Sequence, residues 1–195
     1  MRSHSPHLRV RRLLIAAAIL LVGASPCLSS PALDRLHAER SGGSVVVSLQ
    51  IREALDPPRL EEIETGIESI VRYRIRLLRR RSGLMDEELA DVEVEACVRR
   101  DALSRQYTLT RRVDGDTVEK RMTADPEEMK RFLTTLDRVP VAAADLLVPG
   151  REYEIRARGD LGLVWRFYLI PWPSSTGWEH APVAQEESGR ESATP

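Results

Sequence analysis

Arginine residues recur at every second position of one stretch of the chain, which is the clearest chemical feature of the sequence. The alternating members are Arg72, Arg74 and Arg76, and Arg79, Arg80 and Arg81 follow them. Guanidinium groups bind carboxylates and phosphates through paired hydrogen bonds, so the row is suited to lipids or cell-envelope polymers that carry such groups. The alternative is a solvated strand face whose arginines pair with acids and protect a sheet edge from aggregation. The sequence leaves both interpretations open, with the three alternating arginines as candidate binding residues.

Two tryptophans near the end of the chain form a second candidate binding surface. Trp172 and Trp178 flank the segment Pro173-Ser174-Ser175-Thr176-Gly177. Aromatic side chains beside prolines on a loop can form a surface for a partner or a sugar. The alternative is that both rings fold back against the core, because each buries a large apolar area.

Nucleophilic, metal and nucleotide chemistry lack their usual residues. His37 and His180 are the only histidines after His7, and neither lies within a predicted element, so with Cys97 they predict no zinc site and no Cys-His pair. The sequence has no Gly-x-Ser-x-Gly, Gly-x-x-x-x-Gly-Lys or Gly-x-Gly-x-x-Gly motif. No catalytic residue, metal site or cofactor is predicted. A pair of catalytic carboxylates stays open, because the separation of two acids in space cannot be read from a sequence.

The N-terminal region has the layout of an export signal. Three arginines precede an apolar run at residues 13–22, and small residues follow it. A helix over this run spans roughly 15 Å at about 1.5 Å per residue, half of a bilayer core, which favours a cleaved signal peptide over an anchor. Cys27 and Ser29 suit the last positions before a cut, so residues 1–29 are the predicted signal peptide. The alternative to a periplasmic or extracellular protein is retention in the inner membrane through residues 13–28.

The remaining chain has the length and charge of one acidic domain. Residues 1–29 carry four arginines and no acids, so their removal lowers the formal net charge from −1 to about −5. Such a balance argues against nucleic acid as a partner. Only Cys97 remains, so no intramolecular disulfide is expected. We expect a flexible segment at 30–43, a single domain at 44–180 and a disordered tail at 181–195, where large apolar residues are nearly absent.

Alternation of apolar and polar residues predicts the strands of this domain. The segments are 44–52, 71–77, 92–99, 107–113, 117–122, 152–158 and 163–170. Antiparallel pairing of the second and third segments would place Glu93 and Glu95 opposite the arginine row. Asp114-Gly115-Asp116 is a strong hairpin signal between the next two segments, which predicts a meander of four strands. Residues 140–149 are predicted to form a loop.

Two short helices are predicted from capping signals. Asp56 and Asp125 each precede proline, and an aspartate before a proline in the first turn favours a helix start. The expected buried residues are Leu60, Ile63 and Ile67 in the first helix and Met129, Phe132, Leu133 and Leu136 in the second. The fold class is therefore α+β, with a mainly antiparallel sheet of about six or seven strands, curled or sandwich-like, and two short helices on one face.

Three segments together resemble an uncharacterised exported bacterial family, the domain of unknown function 4390. They are Arg100-Asp101-Ala102-Leu103-Ser104-Arg105-Gln106-Tyr107, the helix from Phe132 with its exit at Pro140-Val141, and Leu147-Val148-Pro149-Gly150-Arg151-Glu152-Tyr153. The resemblance covers roughly residues 44–179. It implies export and a compact domain, and it carries over no catalytic residue.

The leading functional hypothesis is an exported non-enzymatic domain that binds or organises a cell-envelope component, either a protein or an anionic molecule. It uses the arginine row or the tryptophan segment. Two alternatives remain: an envelope hydrolase with an unrecognised carboxylate pair, and a carrier of a small apolar ligand inside a curled sheet. The sequence does not predict the oligomeric state.

Overall fold

The computed structural model describes residues 30–83, 85–166 and 170–184, which form ten strands, two α-helices and a short 3₁₀-helix at Ala144–Leu146. The strands are β1 (Ala32–Ser41), β2 (Ser44–Arg52), β3 (Ser69–Arg79), β4 (Glu87–Arg100), β5 (Tyr107–Val113), β6 (Asp116–Thr123), β7 (Thr135–Ala143), β8 (Tyr153–Arg166), β9 (Ile170–Ser175) and β10 (Glu179–Ala184). The helices are α1 (Pro57–Glu64) and α2 (Pro126–Thr134). The predicted signal peptide lies outside these residues. Within them, neither helix has the length and apolar character needed to cross a membrane.

All ten strands belong to one sheet, which confirms the predicted α+β class but corrects the strand number. The order is β6-β5-β4-β3-β8-β10-β1-β2-β7, with β9 paired to β8. Every pairing is antiparallel except that of β1 with β10. The sheet curls into a half-barrel, and β7 at one edge returns towards β3 and β4. The predicted four-strand meander is the run β3 to β6.

The additional strands lie where the sequence pattern is weak. Ala32–Ser41, expected to be flexible, is a strand in which only Leu33 and Ala38 are buried. The predicted loop at 140–149 is wrong in its first part, because β7 continues to Ala143 along the edge of the sheet, where a proline is tolerated. Residues 181–184 of the expected tail belong to β10, and residues 185–195 lie outside the described chain. Neighbouring strands supply the hydrogen bonds that these short polar segments need.

The concave face of the sheet holds the core and is covered by α2. Asp125 caps this helix by accepting a hydrogen bond from the amide of Glu127 at 2.9 Å. Met129, Phe132 and Leu133 are buried as predicted, and the buried Leu136 lies in β7. The hydroxyl of the fully buried Tyr73 on β3 donates to the carbonyl of Leu133, which fixes the helix to the sheet.

Helix α1 closes the end of the sheet at which β3 begins. Asp56 accepts a hydrogen bond from the amide of Arg59 at 3.1 Å, and Ile63 is fully buried. The expected burial of Ile67 is wrong, since this side chain is 56% exposed. The helix ends at Glu64, and Gly66 turns the chain at a φ of +90°, so Ile67 no longer follows the helical spacing.

Candidate anion-binding site

The arginine row of β3 lies on the convex face of the sheet and is paired with acids. Nε of Arg72 lies 2.8 Å from a carboxylate oxygen of Glu95. Arg74 contacts Asp91 at 2.7 Å, and Arg76 contacts the same carboxylate at 3.3 Å. The expected partner Glu95 is confirmed. Glu93 lies opposite Arg74 in the register, but the guanidinium of Arg74 turns to Asp91 instead.

These ion pairs lower the pKa values of the acids. The hydrogen bond from Arg74 lowers the pKa of Asp91, and the hydrogen bond from Arg72 lowers the pKa of Glu95. Both carboxylates therefore stay charged at neutral pH and neutralise much of the row. A phosphate or carboxylate from solution would have to compete with them for the same guanidinium groups.

A second set of arginines converges at the end of the sheet where β3 ends and β8 begins. We call this region the arginine cleft; it has a volume of about 570 Å³. Its lining residues are Arg79, Arg80, Arg81, Ser82, Gly150, Arg151 and Glu152. Four of the seven are arginines and one is acidic. Two separate chain segments supply them, the exit from β3 and the turn before β8.

Two arginines of the arginine cleft share a single acid. Arg79 and Arg81 share one carboxylate, that of Glu87. Burial alone would raise the pKa of Glu87, but the hydrogen bonds from the two arginines outweigh it and lower the pKa. A shared carboxylate leaves one positive charge in excess in this group of three. A multivalent anion could contact both guanidinium groups along with Arg151.

A buried glutamate lines a second cleft, which we call the adjoining cleft because it shares Arg80, Arg151 and Glu152 with the arginine cleft. The side chain of Glu154 on β8 is only 10% exposed and contacts Arg80 at 3.1 Å, Arg156 at 2.8 Å and Nδ1 of His180 at 2.8 Å. Burial alone would raise the pKa of Glu154, but the hydrogen bonds from His180 and Arg156 and the nearby Arg80 charge lower it. The carboxylate thus holds Arg80 between this cleft and the arginine cleft.

The loop before β8 is hydrogen-bonded to the end of β3. The hydroxyl of Tyr153 accepts a hydrogen bond from the amide of Val148 at 2.7 Å, which closes the turn. The amide of Arg80 donates to the carbonyl of Glu152 at 3.0 Å and ties the two segments together. Gly150 has a φ of +76°, a conformation that favours glycine. Arg151 is thereby presented beside Arg80 and Arg81.

Of the two predicted tryptophans, the structure describes the side chain of Trp178 and not that of Trp172. The ring of Trp178 is 36% exposed and lies under the guanidinium of Arg76, 5.1 Å from its centroid. Both residues line a smaller cleft with Leu78, Arg156 and His180. Trp172 lies on β9 opposite Val164, and its side chain is outside the described part of the structure. Of the predicted site residues, Arg76 and Trp178 thus meet in one place.

Sequence reasoning missed the residues that join these clefts. His180 was placed outside the predicted elements, but it lies on β10 opposite Arg156. No sequence pattern indicated Arg151 or Glu154 as site residues, because their proximity to Arg80 depends on the pairing of β3 with β8. The run of arginines at 79–81 and the turn at Pro149-Gly150 were both visible in the sequence. Only the strand register places them side by side.

The described residues were compared with the requirements of a metal site and of a reactive thiol. Between residues 30 and 184, within the parts described, no group of three or more His, Cys, Asp or Glu side chains is arranged to hold a metal ion. Cys97 is buried on β4, and burial raises the pKa of its thiol. The structure thus offers an exposed arginine cleft and a buried, weakly acidic thiol.

These features define a single-sheet domain with a charged cleft at one end, and a family model covers most of that domain. It matches residues 29–163 and is described as Domain of unknown function (DUF4390). The chain belongs to this family, which confirms the resemblance seen in the sequence. No curated protein and no solved structure matches the chain. The matched range includes the arginine cleft and ends before Trp178 and His180.

Proposed function

We propose that this chain is an exported, non-enzymatic domain that binds an anionic component of the cell envelope in the arginine cleft. The observation that carries the proposal is the convergence of Arg79, Arg80, Arg81 and Arg151 on one concave surface. Guanidinium groups from two segments can contact several oxygens of one phosphate or carboxylate group. The ligand class is therefore a molecule that carries more than one such group.

The convex arginine row is the weaker candidate for the same function. Its three arginines each contact an acid on β4, and Arg79, Arg80 and Arg81 of the cleft contact acids as well, so the two surfaces differ in shape and not in pairing. The cleft has a concave shape and a single acidic lining residue. Concave sites desolvate a ligand more completely than an open sheet face, which strengthens each charged contact.

The test compares anion binding by two double variants, each of which replaces two arginines. The first combines Arg81→Gln with Arg151→Gln in the cleft, and the second combines Arg72→Gln with Arg74→Gln on the convex row. The probe is labelled inorganic polyphosphate, and polyglutamate separates phosphate from carboxylate recognition. We expect the cleft variant to lose at least about a hundredfold in affinity, since hydrogen bonds between charged groups contribute about 1.5 to 3 kcal/mol each and two arginines are removed.

The row variant serves as the control, because it also removes two exposed arginines. It should bind polyphosphate within about threefold of the wild type, a change of roughly 0.6 kcal/mol. Equal losses in both variants would show diffuse charge attraction without a site. Wild-type protein that binds neither probe would refute the proposal.

A hydrolase is the second candidate, because two carboxylates line one cleft. Glu152 and Glu154 both line the adjoining cleft beside Arg80 and Arg151, and a two-carboxylate mechanism requires such a pair. The lowered pKa of Glu154 disfavours it as a proton donor but suits an ionised base or nucleophile. Release of sugar or ester products from isolated envelope material by the wild type, with loss in Glu154→Gln, would favour the hydrolase. Intact material would favour binding alone.

The export half of the proposal has its own test. Residues 1–29 have the order of charges and apolar residues of a signal peptide, and retention through residues 13–28 is the alternative. The producing cells are fractionated and the intact mass of the protein is measured. A mass that begins at Ser30 or Leu33 in the soluble exported fraction supports release, whereas full-length mass in the membrane fraction supports an anchor.

A further inference from the structure

We propose that an acidic segment of this chain, residues 185–191, binds in the arginine cleft and competes there with ligands from solution. The inference rests on the proposed function, because it assigns a competitor to the same site. The acidic segment directly follows β10, which ends at Ala184. It contains three acids and one base, which are Glu186, Glu187, Glu191 and Arg190, so its net charge is −2.

Strand β10 leads the chain to the end of the sheet that carries the arginine cleft. Strand β10 is antiparallel to β8, and Pro182 lies opposite Glu154 in this pair. Strand β8 is antiparallel to β3, and Tyr153 lies opposite Arg79 at the end of β3. Strands β10 and β3 therefore run in the same direction and end on the same side of the sheet. The acidic segment begins at this side, where the arginine cleft lies.

The adjoining cleft connects the end of β10 with the arginine cleft. The residues of β10 that line it are Ala181, Pro182 and Val183, and it shares Arg80 and Arg151 with the arginine cleft. Strand β8 lies between β10 and β3, so about 10 Å separates β10 from β3 at a strand spacing of about 4.8 Å. Seven residues extend over as much as about 23 Å. The acidic segment is therefore long enough to reach the arginines of the cleft.

The charges of the two clefts suit an acidic peptide. Four arginines line the clefts together with two acids, Glu152 and Glu154. A third acid, Glu87, pairs with Arg79 and Arg81, so the arginines still outnumber these acids. Beside the start of the acidic segment, Glu39 lies opposite Ala184 on β1 and is bound by Arg138. Its carboxylate is therefore already paired where the acidic segment leaves the sheet.

The arginines of the cleft keep donors in contact with solvent although acids pair with them. The side chain of Arg80 is 58% exposed and that of Arg81 is 41% exposed. A guanidinium has five N–H donors, and one carboxylate binds at most two of them side by side. The glutamates of the acidic segment can use the remaining donors.

Attachment to β10 makes weak contacts sufficient for binding. A segment joined to its site by a few residues acts at an effective concentration in the millimolar range. Contacts that give a free peptide only millimolar affinity then produce substantial occupancy of the cleft. A ligand from solution must displace the acidic segment, so its apparent affinity falls in proportion to the fraction of molecules in which the cleft is open.

The test is the affinity for labelled polyphosphate of the wild type and of a variant whose acidic segment has lost its acids. This segment variant combines Glu186→Gln, Glu187→Gln and Glu191→Gln. We expect it to bind polyphosphate about three- to tenfold more tightly than the wild type. Such a gain corresponds to an acidic segment that occupies the cleft in about two-thirds to nine-tenths of the wild-type molecules.

The matched control removes three exposed acids at the opposite end of the sheet, through Glu61→Gln, Glu62→Gln and Glu68→Gln. It changes the net charge by the same amount as the segment variant. Its affinity for polyphosphate should stay within about twofold of the wild type, because salt screens charges so far from the cleft. Unchanged affinity in the segment variant, or an equal gain in both variants, would overturn the inference while the proposed function still holds.

A second measurement needs no ligand, so it decides the inference even if polyphosphate does not bind. A nitroxide spin label is attached through Ser188→Cys, with Cys97 shielded by burial. The label should broaden the arginine Nε–Hε resonances of Arg80, Arg81 and Arg151 in nuclear magnetic resonance spectra. Most of this broadening should disappear when the three glutamates of the acidic segment are also replaced by glutamine. Equal broadening with and without the glutamates would show mere proximity and would overturn the inference.

Discussion

Substitution of the buried arginine Arg59 should destabilise the domain more than any change to the exposed arginine row. Arg59 projects from α1 into the end of the sheet and is only 9% exposed. Its guanidinium donates to the hydroxyl of Ser69 at 2.9 Å, the carbonyl of Ile70 at 2.9 Å and the carbonyl of Leu161 at 2.6 Å. Burial lowers the pKa of Arg59, although the nearby charge of Asp56 opposes that shift.

The size of the effect follows from these contacts. In Arg59→Ala the carbonyls of Ile70 and Leu161 lose a charged donor, and each unsatisfied buried acceptor costs about 1 to 2 kcal/mol after partial relaxation. Loss of the packed aliphatic stem adds roughly 1 kcal/mol. The free energy of unfolding should fall by about 3 to 5 kcal/mol, a large part of the roughly 5 to 15 kcal/mol available to a domain.

Urea unfolding followed by circular dichroism measures this change. With a slope of about 2 kcal/mol per molar urea, the midpoint should fall by roughly 1.5 to 2.5 M. Arg72→Ala is the matched control, because the side chain of Arg72 is 48% exposed and its ion pair with Glu95 is worth about 0 to 1 kcal/mol. If Arg59→Ala and Arg72→Ala lowered the midpoint equally, the anchoring role of Arg59 would be refuted.

Three further predictions test the packing and charges of the sheet. Gly159→Ala should destabilise the domain by about 1 to 3 kcal/mol, because a Cβ there would lie 2.4 Å from Cδ1 of Ile51; an unchanged melting temperature would contradict this packing. The domain should lose stability as the pH falls below 4.5, the ordinary pKa of Glu95, and below 3.8, that of Asp91. The pKa values of both groups are lower in the folded protein, so their protonation breaks the ion pairs with arginine and favours unfolding. Glu95→Gln should flatten the pH dependence of the melting temperature in that range. Cys97 should react with a thiol reagent only after unfolding, because it is 2% exposed and burial raises its pKa; fast labelling of the native protein would contradict the burial.

The sequence predicted the elements whose signals are local. Alternation over β2 to β6 reflects one buried face and one solvated face, and Asp114-Gly115 favours the turn between β5 and β6. The capping aspartates located both helix starts within a residue. Strand β1, strand β10 and the first part of the 140–149 segment escaped prediction, because their pairing depends on neighbours far along the chain. The predicted division into strands at 152–158 and 163–170 is wrong, because β8 continues without a break to Arg166.

The candidate site was only partly predictable for the same reason. Arg76 and Trp178 were named from the sequence and lie together in the structure. The arginine cleft depends on β8 passing beside β3, which brings Arg151 to residues 79–81. Alternation indicates which face of a strand is polar, but it does not indicate which strand lies next to it. For that reason Glu95 was identified from the sequence as a partner of the convex row, whereas Asp91 was not.

Binding of anions in the arginine cleft, and not along the convex row, can be observed in the arginine Nε–Hε spectrum of the labelled protein, recorded by nuclear magnetic resonance during titration with polyphosphate. We expect the resonances of Arg79, Arg80, Arg81 and Arg151 to shift together and saturate, while those of Arg72 and Arg74 stay in place. Shifts centred on Arg72 and Arg74, or spread evenly over all surface arginines, would contradict it.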